Sequence, residues 1–127
     1  MKKFPPERIV CLTEETVETI YLLGEEKRIV GVTGYATRPK RVRNEKPRIS
    51  SFISANIDKI IDLEPDLILA FSDIQSEIVS NLIKKGQSVL CFNQRDIEGI
   101  FNMIQTISNL LDIKQKGINL VSKLKKN

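Results

Sequence analysis

Residues 57–71 decide the fold, and they read IDKIIDLEPDLILAF. The first half of this stretch spaces its isoleucines on one side of a short helix, about residues 56–63. Pro65 stops that helix because proline lacks the N–H that the next helical hydrogen bond needs. The second half, residues 66–71, is apolar after its first residue, which is typical of a strand buried on both faces of a parallel sheet.

The same alternation of strand and helix continues in both directions along the chain. Short apolar runs predict three more strands, and apolar residues at helical spacing predict helices between and after them. Thr13 stands where the first helix needs an N-cap, and Gly24 and Gly86 stand where helices end in the left-handed conformation. The four predicted strands are residues 8–12, 28–32, 66–71 and 88–92, and the last two predicted helices are residues 97–111 and 113–125.

The order of these elements predicts the fold class. Residues 33–48 are expected to be irregular because Gly34, Pro39 and Pro47 interrupt them. Elsewhere strands alternate with helices, which predicts parallel strands joined by right-handed crossovers. The expected fold is α/β: a three-layer, Rossmann-like lobe with a mainly parallel four-stranded sheet and helices on both faces. With 127 residues, the chain is long enough to bury the core of one such domain.

Composition excludes several classes of function. The chain has no histidine, which excludes imidazole acid–base catalysis and histidine-ligated metal sites. Two cysteines cannot form a four-thiolate zinc site, and no glycine-rich dinucleotide or phosphate motif is present. We therefore expect a protein that is not an enzyme and that has no resident metal or cofactor.

Cysteines and the amino terminus leave the compartment open. Cys11 and Cys91 each lie in a strand-like run, so we expect two buried reduced thiols, while a disulfide between them remains an alternative. No apolar run is long enough to span a bilayer. No secretory signal is present as the sequence is written, so the chain is cytoplasmic or its signal has been removed.

Candidate site residues follow from the fold class alone. In open parallel sheets, ligands bind beyond the carboxyl ends of the strands. In the predicted fold, this rule selects Thr13 and Glu14, residues 33–35, Ser72 and Asp73, and Asn93 and Gln94.

One segment carries most of the positive charge. Residues 38–48 contain six basic residues and one acid, a net +5, so the rest of this +4 chain is near −1. Three interpretations are open: a solvated surface, a site for an anionic small molecule, or contact with the phosphates of nucleic acid. Nucleic acid is the least favoured because no recognition helix or interleaved aromatic residues accompany the charges. The candidate anion contacts are Arg38, Lys40 and Arg41.

The acidic residues allow a signalling interpretation as well. Glu14, Glu15 and Asp73 are similar to the acidic pocket of a phosphoacceptor receiver domain. A receiver would carry its acids directly after the first strand and a lysine after a fifth strand, but no fifth strand is predicted and the third strand comes late in the chain. The simpler interpretation is a charge pair at a helix N-terminus and an aspartate in a turn.

Three segments together resemble one family in their order and spacing. The first begins with the strand at Ile9 and includes Glu18 and Leu23-Gly24, the second is residues 30–35, and the third is residues 57–70, which contain the Pro-Asp-leucine pattern. They resemble the class III substrate-binding proteins of ABC importers, which serve the uptake of cobalamin, ferric siderophores and haem. The resemblance covers about residues 8–112.

The resemblance implies a protein of two α/β lobes, joined by one long helix, that enclose a ligand and dock on a membrane permease. Residues 1–112 would form the amino-terminal ligand-binding lobe, residues 113–127 would begin the interdomain helix, and the second lobe would be absent. The implied location is extracytoplasmic, either periplasmic or membrane-anchored. A cleft needs two walls, so we expect this chain alone to bind its ligand weakly.

Position within the family also implies roles for single residues. Asp58 falls where a glutamate usually pairs with arginines of the permease. Phe52 falls where cobalamin binders place an aromatic residue against the ligand. Tyr35, Phe71 and Ser72 fall at positions that face the cleft.

Two further expectations concern charge and assembly. The basic segment would suit carboxylate-bearing ligands, such as haem or siderophores, through charge-assisted hydrogen bonds. Glu14 stands where the family commonly has a proline. In a lone lobe the last helix would expose the apolar face of Val121 and Leu124, so self-association through that helix is expected.

Overall fold

The computed structural model describes residues 2–51 and 55–126, and it alternates strands with helices throughout. Short 3₁₀ turns cover Glu26–Arg28 and Asp73–Gln75. The strands are β1 (Ile9–Cys11), β2 (Ile29–Thr33), β3 (Arg48–Ser50), β4 (Leu67–Phe71) and β5 (Val89–Phe92). The helices are α1 (Glu14–Leu22), α2 (Val42–Glu45), α3 (Ile57–Asp62), α4 (Ser76–Lys84), α5 (Ile97–Leu110) and α6 (Lys114–Lys126).

The strands form one parallel sheet in the order β3-β2-β1-β4-β5. From β1 the chain moves outward through β2 to β3, then crosses back to place β4 and β5 on the other side of β1. Strand order therefore reverses between β1 and β4. Because all strands are parallel, their carboxyl ends lie at one edge of the sheet and their amino ends at the other.

The α/β prediction is confirmed, but the sheet has five strands rather than four. The additional strand, β3, and the four-residue helix α2 both begin within the segment that was expected to be irregular. Strand β3 is a short edge strand in which Ile49 is buried and Arg48 is exposed. Because only one of its three residues is buried, it shows no apolar run that periodicity could detect.

Strand β1 runs through the middle of the sheet and is covered on both faces. Ile9 and Cys11 contact one core cluster, which includes residues of α1, α5 and α6. Val10 and Leu12 contact a second cluster, which includes residues of α3 and α4. All four side chains are fully buried, as the continuous apolar run predicts for a strand between two helical layers.

Helix ends follow the sequence signals in part. Gly24 and Gly86 adopt φ of +73° and +85°, which confirms both as left-handed helix ends. Thr13 occupies the N-cap position of α1, but its side chain does not cap the helix. Its hydroxyl lies 2.9 Å from the hydroxyl of Thr16 instead. Asp96 does cap α5, since its carboxylate accepts a hydrogen bond from the N–H of Gly99 at 2.7 Å.

The expected exposure of the last helix is found only in part, and the expected burial of Cys91 is wrong. Val121 and Leu124 of α6 are half-buried against the core cluster that contains α5, whereas Ile118 is 42% exposed, so self-association through this helix stays a prediction. Cys91 is exposed, whereas Cys11 is buried, and both thiols are free. Cys91 lies on β5 at the margin of the sheet, where helices cover the strand less completely than they cover β1.

Candidate functional site

The segments that follow β1, β2, β4 and β5 meet at the carboxyl edge of the sheet, which we call the rim (residues 12–15, 33–35, 71–75 and 93–100). Two shallow depressions open there, of about 270 and 320 Å³. The first is lined by Glu14, Glu15, Thr33 and Tyr35. The second is lined by Glu15, Phe71, Gln94, Arg95, Asp96, Ile97 and Ile100. Glu15 borders both depressions, so they adjoin across the start of α1.

The first depression combines acidic and aromatic groups. Glu14 and Glu15 are exposed in the first turn of α1, where their charges complement the positive end of the helix. Tyr35 is 55% exposed, and its backbone N–H donates to the Thr33 hydroxyl at 3.4 Å. The backbone N–H of Gly34 donates to the carbonyl of Ser50 at 2.6 Å, which fixes this turn against β3. The turn therefore presents the Tyr35 ring toward solvent.

The second depression is mainly apolar. Ile97 and Ile100 are 69% and 38% exposed, and Phe71 is half-buried beside them. Arg95 approaches Asp73 at 3.9 Å, but both side chains are largely exposed, so this ion pair contributes little stability. An exposed apolar surface of this kind, bordered by charged residues, is typical of a binding site.

Exposed large apolar side chains concentrate at this edge of the molecule. Four of the eight found among the described residues lie on the rim: Tyr35, Ile74, Ile97 and Ile100. Isolated exposed apolar residues are ordinary, but a cluster at the ligand-binding edge of a parallel sheet is informative.

Sequence reasoning missed Arg95 and the exposure of the two isoleucines. The helical spacing of Ile97 and Ile100 assigns them to the core face of α5. In the structure the first turn of α5 begins at the rim, beyond the strands that would cover it. The N-capping Asp96 is the signal that marks this start.

The six predicted ligand contacts have different outcomes. Glu14, Tyr35 and Phe71 line the rim depressions. Thr13 and Ser72 are buried, and their hydroxyls have partners within the chain, since the Ser72 hydroxyl accepts from the N–H of Ile74 at 3.2 Å. These two residues are buried next to the two rim depressions and line neither of them. The sixth, Phe52, lies outside the described residues.

Ser72 also borders a third, larger groove between α4 and β5, of about 630 Å³, which the rim residues Asp73 and Asn93 line as well. Its backbone has φ of +61° and ψ of 173°, a conformation that is strained for any residue except glycine. Its N–H donates to the carbonyl of Phe92 at 2.7 Å. The chain thus turns sharply where it leaves β4.

The predicted permease contact, Asp58, lies away from both depressions. It is exposed in the first turn of α3, which begins after the N-capping Asn56. The Asn56 side chain accepts a hydrogen bond from the N–H of Lys59 at 3.0 Å. Asp58 is therefore accessible to a partner and adds a favourable charge to the helix start.

The basic segment does not form a cluster over the rim. Arg41 pairs with Glu45 at 3.2 Å and with Glu26 at 3.4 Å, and its guanidinium lies 4.8 Å from the ring centre of Tyr21. The hydrogen bond from the Tyr21 hydroxyl is the main reason that the pKa of Glu45 is lowered, and Arg41 adds to it. The positive charge of Arg41 is thus already matched within the chain.

Two other basic residues of this segment, Lys46 and Arg38, also contact partners within the chain. The Lys46 ammonium donates to the carbonyls of Glu26 and Ile29, at 2.7 and 2.9 Å, at the amino end of β2. Arg38 lies 3.5 Å from Glu18, and Lys40 is exposed with no ion pair found in residues 2–51 and 55–126. Two of the three candidate anion contacts, Arg38 and Arg41, are thus already paired with acids within the chain.

At the opposite edge of the sheet a buried carboxylate borders a depression of about 480 Å³. Asp66, just before β4, is 5% exposed and accepts hydrogen bonds from the backbone N–H groups of Lys3, Glu7 and Arg8, at 3.0, 2.9 and 3.0 Å. Burial alone would raise the pKa of Asp66, but these three donors outweigh it and lower the pKa. This edge is held by satisfied polar groups.

Within the described ranges, no three cysteine, aspartate or glutamate side chains come close enough to hold a metal ion. In the same ranges, every helix is too short or too polar to cross a membrane. Desolvation raises the pKa of the buried Cys11 thiol to about 12, which keeps it protonated and unreactive.

Comparison with known proteins identifies the family. The family model described as "Periplasmic binding protein" matches residues 9–127. An uncharacterized ABC transporter substrate-binding lipoprotein of Bacillus subtilis, YvrC, is 31% identical over 127 residues, which is 97% of this chain and 40% of that protein.

Solved structures agree with this match. A structure described as a possible iron-binding (periplasmic solute-binding) protein from Staphylococcus epidermidis has a TM-score of 0.87 at 27% identity, covering 96% of this chain and 48% of that one. The periplasmic vitamin B12-binding protein BtuF of Vibrio cholerae has a TM-score of 0.87 at 25% identity, covering 98% of this chain and 49% of that one.

The chain thus spans about half or less of the length of these relatives. The match favours neither the receiver domain nor the nucleic-acid interpretation, and the matched family consists of binding proteins, which are not enzymes. The sheet, its helical layers and the family match agree: the chain belongs to the periplasmic binding protein family.

Proposed function

We propose that this chain forms the amino-terminal ligand-binding lobe of an ABC importer's substrate-binding protein, and that its rim is one wall of the ligand cleft. Residues 1–112 are the lobe, residues 113–127 begin the interdomain helix, and a second lobe supplies the facing wall. The observation that carries this proposal is the cluster of exposed apolar side chains around two adjoining depressions at the carboxyl edge of the sheet. The protein then works outside the cytoplasm, beside a membrane permease.

The shape of the rim supports a large ligand with an apolar face. Ile97, Ile100 and Phe71 offer an apolar surface, and Tyr35 offers a ring and a hydroxyl at the other end of the rim. The candidates are cobalamin, haem and ferric siderophores. Relatives of this chain include proteins named for vitamin B12, haem and iron.

The charges at the rim rank these candidate ligands. The residues that line the rim depressions include three acids, Glu14, Glu15 and Asp96, but one cation, Arg95. Lys46 of the basic segment is held at the amino end of β2 instead. A ligand with several negative charges would therefore meet repulsion at short range. A ligand whose periphery offers neutral amides, as cobalamin does, suits the rim better than haem propionates or siderophore carboxylates. This ranking reverses the expectation drawn from the basic segment alone.

Calorimetry on the 127-residue chain tests the proposal. We expect cyanocobalamin to bind more tightly than haemin or a ferric carboxylate siderophore. All should bind more weakly than about 1 μM, because one wall buries only part of the ligand. Submicromolar binding would contradict the single-wall geometry, and complete lack of binding at millimolar ligand would contradict the proposed function.

The charge ranking has its own test. Replacing Glu14 and Glu15 by glutamine should strengthen haemin binding severalfold and leave cyanocobalamin nearly unchanged. Glu7→Gln with Glu64→Gln is the matched control, since both carboxylates are exposed at the opposite edge. An equal response of haemin to both double variants would contradict a local effect of the rim.

A further inference from the structure

A fully buried glutamine connects two neighbouring strands just below the rim. The side chain of Gln75 is 0% exposed. Its amide oxygen accepts a hydrogen bond from the N–H of Phe71 at 2.9 Å, at the end of β4. Its amide nitrogen donates to the carbonyl of Leu12 at 3.0 Å, just after β1. Burying an amide is costly unless both of its ends have partners, and here both have them.

The Gln75 amide occupies the place of a missing backbone hydrogen bond. Cys11 pairs with Leu69 in the parallel ladder, and the N–H of Leu12 donates to the carbonyl of Leu69 at 2.9 Å. In a regular ladder the next bond would join the N–H of Phe71 directly to the carbonyl of Leu12. The Gln75 side chain instead accepts from the N–H of Phe71 and donates to the carbonyl of Leu12. It therefore acts as an inserted peptide unit that separates the two strands.

The separation occurs where the topology calls for a crevice. Strand order reverses between β1 and β4, and open α/β sheets bind ligands outside the carboxyl ends at such a point. Just beyond Phe71, Ser72 adopts its strained positive φ, and the chain turns away from β1. Glu14, Glu15 and Phe71, which border the rim depressions, lie on the two sides of this separation.

We propose that Gln75 is a positioning residue for ligand binding, because its amide holds the carboxyl ends of β1 and β4 apart and so sets the spacing of the rim. This inference rests on the proposed function for its ligand, but the separation of the strands can be measured without one. Gln75 itself does not touch the ligand. It acts through the backbone of Phe71 and Leu12.

The wild-type chain gives the first test. A through-hydrogen-bond scalar coupling between the Phe71 amide nitrogen and the Gln75 side-chain carbonyl carbon should appear in an NMR spectrum. A coupling from the Phe71 nitrogen to the Leu12 carbonyl carbon instead would mean that the ladder is closed, and would overturn the proposal.

Two substitutions separate hydrogen bonding from space filling. Gln75→Met keeps the volume but removes both hydrogen bonds, so Phe71 amide exchange should accelerate roughly tenfold relative to Leu69. Gln75→Glu keeps an acceptor for the Phe71 N–H, so the same ratio should stay near its wild-type value. If Gln75→Met leaves the ratio within twofold of wild type and shows no coupling from the Phe71 nitrogen to the Leu12 carbonyl carbon, the amide is not what holds the strands apart.

Asp66→Asn is the control, because it weakens the opposite end of the same strand. It should leave the Phe71 to Leu69 exchange ratio unchanged. In calorimetry with cyanocobalamin, Gln75→Met should weaken binding at least threefold, whereas Asp66→Asn should not. Altered exchange with unchanged affinity would refute the positioning role. Failure of the wild-type chain to bind any ligand would refute the proposed function and leave the coupling and exchange results to decide the separation of the strands.

Discussion

The two edges of the sheet are built in opposite ways. At the amino edge, the Asp66 carboxylate accepts three backbone N–H groups, and the Arg8 guanidinium donates to the carbonyl of Leu63 at 2.6 Å. At the carboxyl edge, by contrast, isoleucines are exposed, acids face solvent and Ser72 is strained. Strand β4 links these residues of the two edges, since Asp66 directly precedes it and Ser72 directly follows it.

This contrast separates structural from functional residues. Polar groups that satisfy one another at the amino edge contribute free energy of folding. The apolar surface that the rim side chains leave exposed gains nothing from folding, so burying it against a ligand or a second lobe is favourable. Substitutions at the amino edge should therefore change stability, and substitutions at the rim should change binding.

The largest expected change in stability follows substitution of Asp66. Asp66→Ala leaves three backbone N–H groups without their acceptor, and we expect the free energy of unfolding to fall by about 3 kcal/mol. Urea denaturation followed by circular dichroism measures this change. A loss below about 0.5 kcal/mol would show that the amino edge is not held by this carboxylate.

The pH dependence of stability sharpens the same point. The lowered pKa of Asp66 means that its contribution is fully present above its unfolded pKa, near 3.9, and is lost as the pH falls through the lower folded pKa. Wild-type stability should therefore decrease in the acid range, and Asp66→Asn should flatten part of that decrease. Equal pH slopes for the two proteins, in denaturation at pH 2 to 6, would count against the assignment.

At the rim, Ile97→Ala should affect binding rather than stability. The side chain is 69% exposed, so we expect a change in unfolding free energy below about 0.5 kcal/mol and roughly fivefold weaker binding of cyanocobalamin. Leu22→Ala is the matched control, because Leu22 is an exposed apolar residue at the end of α1, away from the rim. Similar weakening by both variants would break the distinction between rim and remaining surface.

The smallest change in the stability of the isolated chain is expected on substitution of Asp58. Asp58→Asn removes a charge from the first turn of α3 and should cost no more than about 0.5 kcal/mol of stability. Its effect should appear in binding to the permease in membrane vesicles, which we expect to weaken severalfold. Asp62→Asn, at the other end of the same helix, is the control and should leave permease binding unchanged.

Much of the fold follows from local signals in the sequence. The continuous apolar run at β1 predicts burial on both faces, and Gly24 and Gly86 predict helix ends, because each depends on neighbouring residues alone. Strand β3 escapes prediction because its register against β2 supplies the single buried position, Ile49. Its pairing partner is distant in sequence and leaves no local pattern.

The rim was only partly predictable for the same reason. The rule for parallel sheets locates Glu14 and Tyr35, since it needs only the strand ends. The exposure of Ile97 depends on where α5 starts relative to the sheet, and the burial of Gln75 depends on a gap between two strands. Neither the exposure of Ile97 nor the burial of Gln75 can be predicted from residue type, because glutamine is usually a surface residue and isoleucine a core residue.

The most direct test of the central claim is an amide chemical-shift map of the 127-residue chain during titration with cyanocobalamin, which is diamagnetic. We predict that the shifted resonances cluster at the rim, at Glu14, Glu15, Tyr35, Phe71 and Arg95. Shifts concentrated at the amino edge, or on residues 41–46 of the basic segment, would contradict the account.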